Sequence, residues 1–214
     1  MKILLAVDGS PYSEMATKTL KALQLPPQTE VTVMTVVPEH IFLGRISLSM
    51  LIGSAAARQL AQEEQEQKAT ELLKRPLETL RASGVKVEGL VRWGRPAEEI
   101  IKQAHDMEAH LVAIGAKGTG DPARFPMGGV AQKVMKYADT SVLLAREGTT
   151  AMRRVLLATD GSKYSDAVAR FLLELPLPLK SQVFMVTALH SHIAAWVKTP
   201  TMDLETNLQL LEEL

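Results

Sequence analysis

Between Gly115 and Gly129 the chain reads GAKGTGDPARFPMGG, which gathers five of its 13 glycines into fifteen residues, with Pro122 and Pro126 among them. Glycine does two kinds of work in such a loop. It lets backbone N–H groups approach a ligand that a Cβ would hold away, and it adopts φ > 0 without strain. Gly128 and Gly129 open the helix-like stretch VAQKVMKYA. A helix N-terminus offers unpaired N–H groups and about half a positive charge, which suits a phosphate. Lys117 and Arg124 add countercharge within the loop. On this chemistry alone, a phosphate cradle and a plain surface loop both stay open. Common nucleotide loops do not account for it. There is no G-x4-G-K-[ST], and Gly118 and Gly120 lack a third glycine at dinucleotide-binding spacing.

The elements that must position this loop alternate between short apolar runs and longer amphipathic stretches, the pattern of βαβ units and a parallel sheet. The first strand is expected over Lys2 to Val7, ending at Asp8, with Ser10 capping a helix over Tyr12 to Leu23. Met15, Leu20 and Leu23 lie on one side of that helix. Pro26 closes the connection, and EVTVMTVV is rich in the β-branched residues of a strand. A long helix should run from Ala55 to Ala82, bent or divided at Pro76. SGVKVEGLV reads as a turn and the third strand. GRPAEEIIKQAH opens a helix with Pro96 at its start and acids in its first turn. HLVAIG, GGVAQKVMKYA and SVLLAR supply the fourth strand, the last helix and the fifth strand. The fold class is α/β, a doubly wound, Rossmann-like five-stranded parallel sheet. Right-handed crossovers put its ligand crevice at the carboxyl ends of the strands, between Asp8 and Gly115.

The chain also repeats. ILLAVDGSPYSEMA at Ile3 returns 152 residues later as VLLATDGSKYSDAV at Val155, and Pro26, Val31, Thr35, His40 and Ile41 fall on Pro178, Val183, Thr187, His192 and Ile193. Residues 1–148 therefore read as one domain and 149–214 as a partial second copy of it, reaching only the equivalent of Gln62. A fragment of a longer tandem chain is the expectation, with a natural half-domain as the alternative. The second copy keeps Asp160, Gly161 and Ser162 but has no counterpart of the glycine loop. It should build no site of its own, and its strands should show an unpaired sheet edge.

Composition narrows the function classes. The 24 basic and 24 acidic residues balance, which gives no reason to expect nucleic acid as a partner. The absence of cysteine excludes disulfides, thiolate metal sites and cysteine nucleophiles. No signal-peptide pattern and no membrane-spanning run appear, so a cytoplasmic protein is expected. No G-x-S-x-G, H-E-x-x-H or catalytic carboxylate pair stands out. His190 and His192 lack nearby acids for a metal, and His105 and His110 read as surface residues. The apolar connection from His40 to Ala57 reads as core, with a lid or partner patch as the competing role.

Taken in order, Asp8 in LAVDGS, the run VRWGRPAEEIIKQAHDMEAHLVAIGAKG and the spacing Gly115-x2-Gly118-x9-Gly128 resemble the universal stress protein family. Its nucleotide-binding members carry G-x2-G-x9-G-[ST] after strand four and an aspartate at the end of strand one. The resemblance covers Met1 to Arg146 and resumes from Arg153, as in tandem members. It implies an adenine nucleotide, ATP or else AMP or ADP, with or without Mg2+. Ala6 and Asp8 would then contact the adenosine, and the main chain of Val36 would contact the adenine edge. Ile114 and Gly115 would line the ribose and phosphate side. Gly118, Gly128, Gly129 and Val130 would give N–H groups to the phosphates, with Lys117 and Arg124 as countercharge. The family also implies a homodimer through strand five, Thr140 to Arg146.

Two positions depart from the family pattern: His110 stands where aspartate is usual, and Gly129 where Ser or Thr is expected. A hydroxyl bond to a charged phosphate is worth about 1.5–3 kcal/mol. Its loss should weaken ATP by about one or two orders of magnitude unless Lys117 or Arg124 compensates. Three functions compete: a nucleotide-binding regulatory protein, a dimerisation module of the same fold with a decayed pocket, and an enzyme of adenylate chemistry showing at most slow ATP hydrolysis.

Overall fold

The computed structural model describes residues 1–38, 55–120, 126–148 and 152–188. The sequence KILLA makes β1 (Lys2–Ala6), and its side chains alternate between two faces that are both covered. Ile3 and Leu5 enter one core layer, Leu4 and Ala6 the other. Around β1 the sheet runs β3-β2-β1-β4-β5, all parallel, with β2 (Glu30–Pro38), β3 (Lys86–Gly94), β4 (Leu111–Gly115) and β5 (Ser141–Ala145). Ala6 sits opposite Met34 on β2 and Ile114 on β4, so the chain order reverses at β1.

Helices α1 (Pro11–Ala22) and α2 (Ala55–Arg81) cover one face; α3 (Pro96–Asp106) and α4 (Gly129–Tyr137) cover the other. Ser10 caps α1 as its sequence predicts, its Oγ accepting the Ser13 N–H at 3.1 Å, and Pro11 occupies the first turn. The buried side of α1 is not the Met15, Leu20 and Leu23 stripe alone. Small residues, Ser13, Ala16, Thr17 and Thr19, join Leu20 there and let the helix lie close to the sheet.

Of the bend or division expected at Pro76, α2 shows no division. It passes through Pro76 as a single helix over Ala55–Arg81. Proline removes one N–H, that which would bond the Leu72 carbonyl, at a cost of about 3 kcal/mol. Ala69 and Leu73 before it, and Leu80 after it, are all buried in the molecule, and packing of an apolar face sustains the helix across the defect.

Beyond β5, β6 (Arg154–Thr159), α5 (Lys163–Glu174) and β7 (Gln182–Thr187) form a separate two-stranded parallel sheet with one helix. The bounds of α5 lie 152 residues beyond those of α1, and Arg154 pairs with Gln182 as Lys2 pairs with Glu30. Ser162 caps α5 as Ser10 caps α1, and Gly161 repeats the positive φ of Gly9. Met152, Phe171, Leu175 and Leu177 pack against the α1–α2 core layer, and the Gln24 N–H donates to the Pro176 carbonyl at 3.1 Å. Among the described residues the covering layers are not repeated. Leu156 is 70% exposed where Leu4 is at 0%, and Met185 is 71% exposed where Val33 is at 0%. Among the described residues, β6 and β7 pair with each other alone.

Candidate functional site

A cavity of about 510 Å³ opens at the carboxyl ends of β1, β2 and β4. Its size falls within the roughly 300–1,000 Å³ of small-molecule sites. Eight of the residues singled out in the sequence line it: Ala6, Asp8, Val36, Ile114, Gly115, Lys117, Gly118 and Val130. Gly128 and Gly129 do not line it but immediately precede Val130, Gly128 as the cap position of α4 and Gly129 as its first residue. Arg124, His190, His192 and residues 40–54 of the apolar connection lie outside the described residues.

Each lining residue is held by its element. β1 delivers Ala6 and Asp8 because its strand ends there, and Gly9 turns the chain into α1 with φ +77°. Gly115 has a packing reason to be glycine: a Cβ there would stand 2.6 Å from the Tyr12 carbonyl carbon and 2.8 Å from the Ser13 nitrogen. The α1 backbone thus rides directly over the end of β4. Gly129 is different, since a Cβ there would meet nothing within 4 Å.

The loop is sewn to β1 by its own hydrogen bonds. Asp8 Oδ1 accepts the Ser10 N–H at 3.0 Å, and Asp8 Oδ2 accepts the Thr119 N–H at 3.1 Å. The Ser10 hydroxyl donates to the Lys117 carbonyl at 3.3 Å. The Gly128 N–H donates to the Ala116 carbonyl at 2.8 Å. In this conformation, therefore, the amides that the start of α4 offers to a phosphate are those of Gly129, Val130 and Ala131, as first-turn N–H groups without intrahelical partners.

The floor and sides suit a flat apolar ring with a charged tail. Met34, Val36, Ile114 and Val130 give apolar surface, while Asp8, Lys68 and Lys117 bring one negative and two positive charges. Lys68 is ion-paired with Glu64 one turn earlier. Residues of α2 were missed in the sequence reading: Gln65, Lys68, Ala69 and Leu72 form one wall. Their spacing places them on one helix face, a signal visible in sequence, though nothing there says what the face looks toward. Pro96 and Ile100 of α3 and Thr119 and Gly120 of the loop complete the lining.

The histidines read as surface residues are exposed, and each makes a bond. His105 Nδ1 lies 2.7 Å from Asp139 Oδ2, joining the end of α3 to the turn after α4. The Asp139 carboxylate raises the His105 pKa above its ordinary value. His110 Nδ1 accepts the Lys2 N–H at 3.2 Å, in the place where the family pattern has aspartate.

Comparison with known proteins agrees with this architecture. The family model described as the universal stress protein family matches residues 1–146. Universal stress protein MJ0577 of Methanocaldococcus jannaschii is 30% identical over 152 residues, covering 68% of this chain and 94% of its own. Universal stress protein YxiE of Bacillus subtilis is 26% identical over 149 residues, covering 68% of this chain and 98% of its own. In fold, a solved universal stress protein of Archaeoglobus fulgidus aligns with a TM-score of 0.64 at 20% identity, over 99% of this chain and 71% of its own. A matching model over the whole five-stranded sheet, together with a relative at that level of identity, places this chain in the universal stress protein family.

Proposed function

We propose that this chain is a regulatory universal stress protein that binds an adenine nucleotide, ATP or its shorter relatives, in the cavity at the ends of β1, β2 and β4. One observation carries the reading: a single cavity gathers Asp8, the Val36 end of β2 and the glycine loop leading to α4. The base lies against Val36, Met34 and Ile114, with the phosphates at the loop and the Gly129 and Val130 amides. Lys117 and Lys68 supply countercharge, and Arg124 extends it. Binding is weaker than a site with a hydroxyl at position 129 would give. Asp8 is the one carboxylate among the cavity's described lining residues, and it accepts two amide bonds. That engagement favours binding over turnover. Assembly is as a homodimer through β5, which among the described residues stands at the edge of the sheet beside β4.

Calorimetric titration with ATP, with and without Mg2+, tests this. Saturable binding that competes with AMP and ADP supports it. An isotherm flat at millimolar ATP refutes it. The second reading, an interaction module with a decayed pocket, draws on the spent Gly128 N–H and the bare Gly129. Mass spectrometry of the purified protein separates the two, since only a nucleotide binder carries nucleotide through purification.

A further inference from the structure

One carboxylate ties the loop that would meet the phosphates to the turn after β1. Asp8 divides its two oxygens between the turn it starts, through the Ser10 N–H at 3.0 Å, and the glycine loop, through the Thr119 N–H at 3.1 Å. Ser10 adds a second stitch to the same loop at Lys117. Thr119 is thereby anchored by its backbone while it lines the cavity and stays exposed. None of the described residues takes up its hydroxyl. Gly129, the first residue of α4, has space for a side chain but brings no hydroxyl.

We propose, resting on the nucleotide reading above, that Thr119 supplies the side-chain hydroxyl to the phosphates that position 129 does not. Asp8 is its positioning residue: it holds the Thr119 backbone against the end of β1 before the ligand arrives. A donor fixed in advance costs no ordering on binding. This gives Asp8 a task apart from contact with the adenosine, and it makes the two ends of the ligand respond differently to substitution.

The test uses the full chain, with calorimetry against ATP and against adenosine, which has no phosphates. Thr119→Val keeps the shape and removes the hydroxyl. ATP affinity should fall by about tenfold while adenosine affinity stays unchanged. Adding Gly129→Ser to that variant should restore ATP, because its hydroxyl enters open space. Asp8→Asn leaves one carbonyl oxygen for two N–H donors, so amide exchange at Thr119 should quicken in the nucleotide-free protein. In the same variant, ATP should lose more affinity than adenosine. Thr119→Val binding ATP as well as the parent chain overturns the role of the hydroxyl, and so does an equal loss of adenosine. If the parent chain binds neither compound, the nucleotide reading and the hydroxyl's role fail together. The exchange measurement still decides the latch on its own: unchanged Thr119 exchange in Asp8→Asn overturns it.

Discussion

Of three glycines of one loop, one is hemmed in and two face open space, and substitution should sort them. A methyl at Gly115 would press on the α1 backbone at 2.6 and 2.8 Å, where no flexible side chain can give way. Overpacking of this kind costs about 1–3 kcal/mol, so Gly115→Ala should lower the melting temperature by several degrees. Gly120→Ala meets nothing within 4 Å and should melt within a degree or so of the parent chain. Gly129→Ser is equally unhindered, and its hydroxyl should tighten ATP by roughly tenfold in the parent chain, read by calorimetry. The loop's glycine richness was plain in sequence, but these separate reasons were not. Gly115 is glycine because a helix a hundred residues earlier crosses it, and sequence distance hides such a crossing. The doubled acceptance by Asp8 was hidden likewise, since Thr119 comes within reach only once β1 and β4 pair.

Among the elements, strands and helices were legible wherever an apolar period ran unbroken, as in KILLA, EVTVMTVV and LVAIG. Local rule met tertiary support at Pro76, which predicted a bend or a division, and the buried faces on both sides of it carry α2 through undivided. The α2 wall of the cavity was illegible because amphipathic spacing shows that a face exists without showing its neighbour. A bond between elements that only the fold brings together gives a pH prediction. His105 on α3 meets Asp139 beyond α4, and the Asp139 carboxylate raises the His105 pKa above 6.5 while its own falls below 3.8. A raised histidine pKa contributes stability that is fully present below 6.5 and is lost as pH rises through the folded value. The aspartate contributes above 3.8 and is lost as pH falls through its own lowered value. Parent and His105→Gln chains should therefore differ most between those limits and converge in alkaline solution, by thermal melting across pH. Both groups are exposed, so the difference should be small and should shrink further in high salt. A gap that widens above neutral pH would contradict the assignment.

At the scale of the whole molecule, the 152-residue offset that the sequence shows between its two similar stretches reappears in the starts of β6, α5 and β7 relative to β1, α1 and β2. Among the described residues, β6, α5 and β7 share the cap, turn and register of β1, α1 and β2, but not the cover that α2, α3 and the neighbouring strands give there. Val183, Phe184, Met185 and Val186 run in succession along β7 as exposed apolar residues. Such an uncovered strand invites pairing with other chains. Every described residue lining the cavity lies at or before Ala131, so β6, α5 and β7 should matter to assembly and not to a ligand there. Residues 1–148 alone should bind ATP within about twofold of the full chain, since that range leaves the described lining whole. They should also be less stable, because Met152, Phe171, Leu175 and Leu177 no longer shield the α1–α2 layer. Light scattering at matched concentration should show the full chain forming larger species than 1–148, and Met185→Lys should reduce that difference by charging the open strand. If the shorter chain instead loses ATP, the second copy supports the site through a route that the docking contact at Gln24 and Pro176 must transmit. If both chains scatter alike, the exposed face of β7 is covered in solution by something the chain itself supplies.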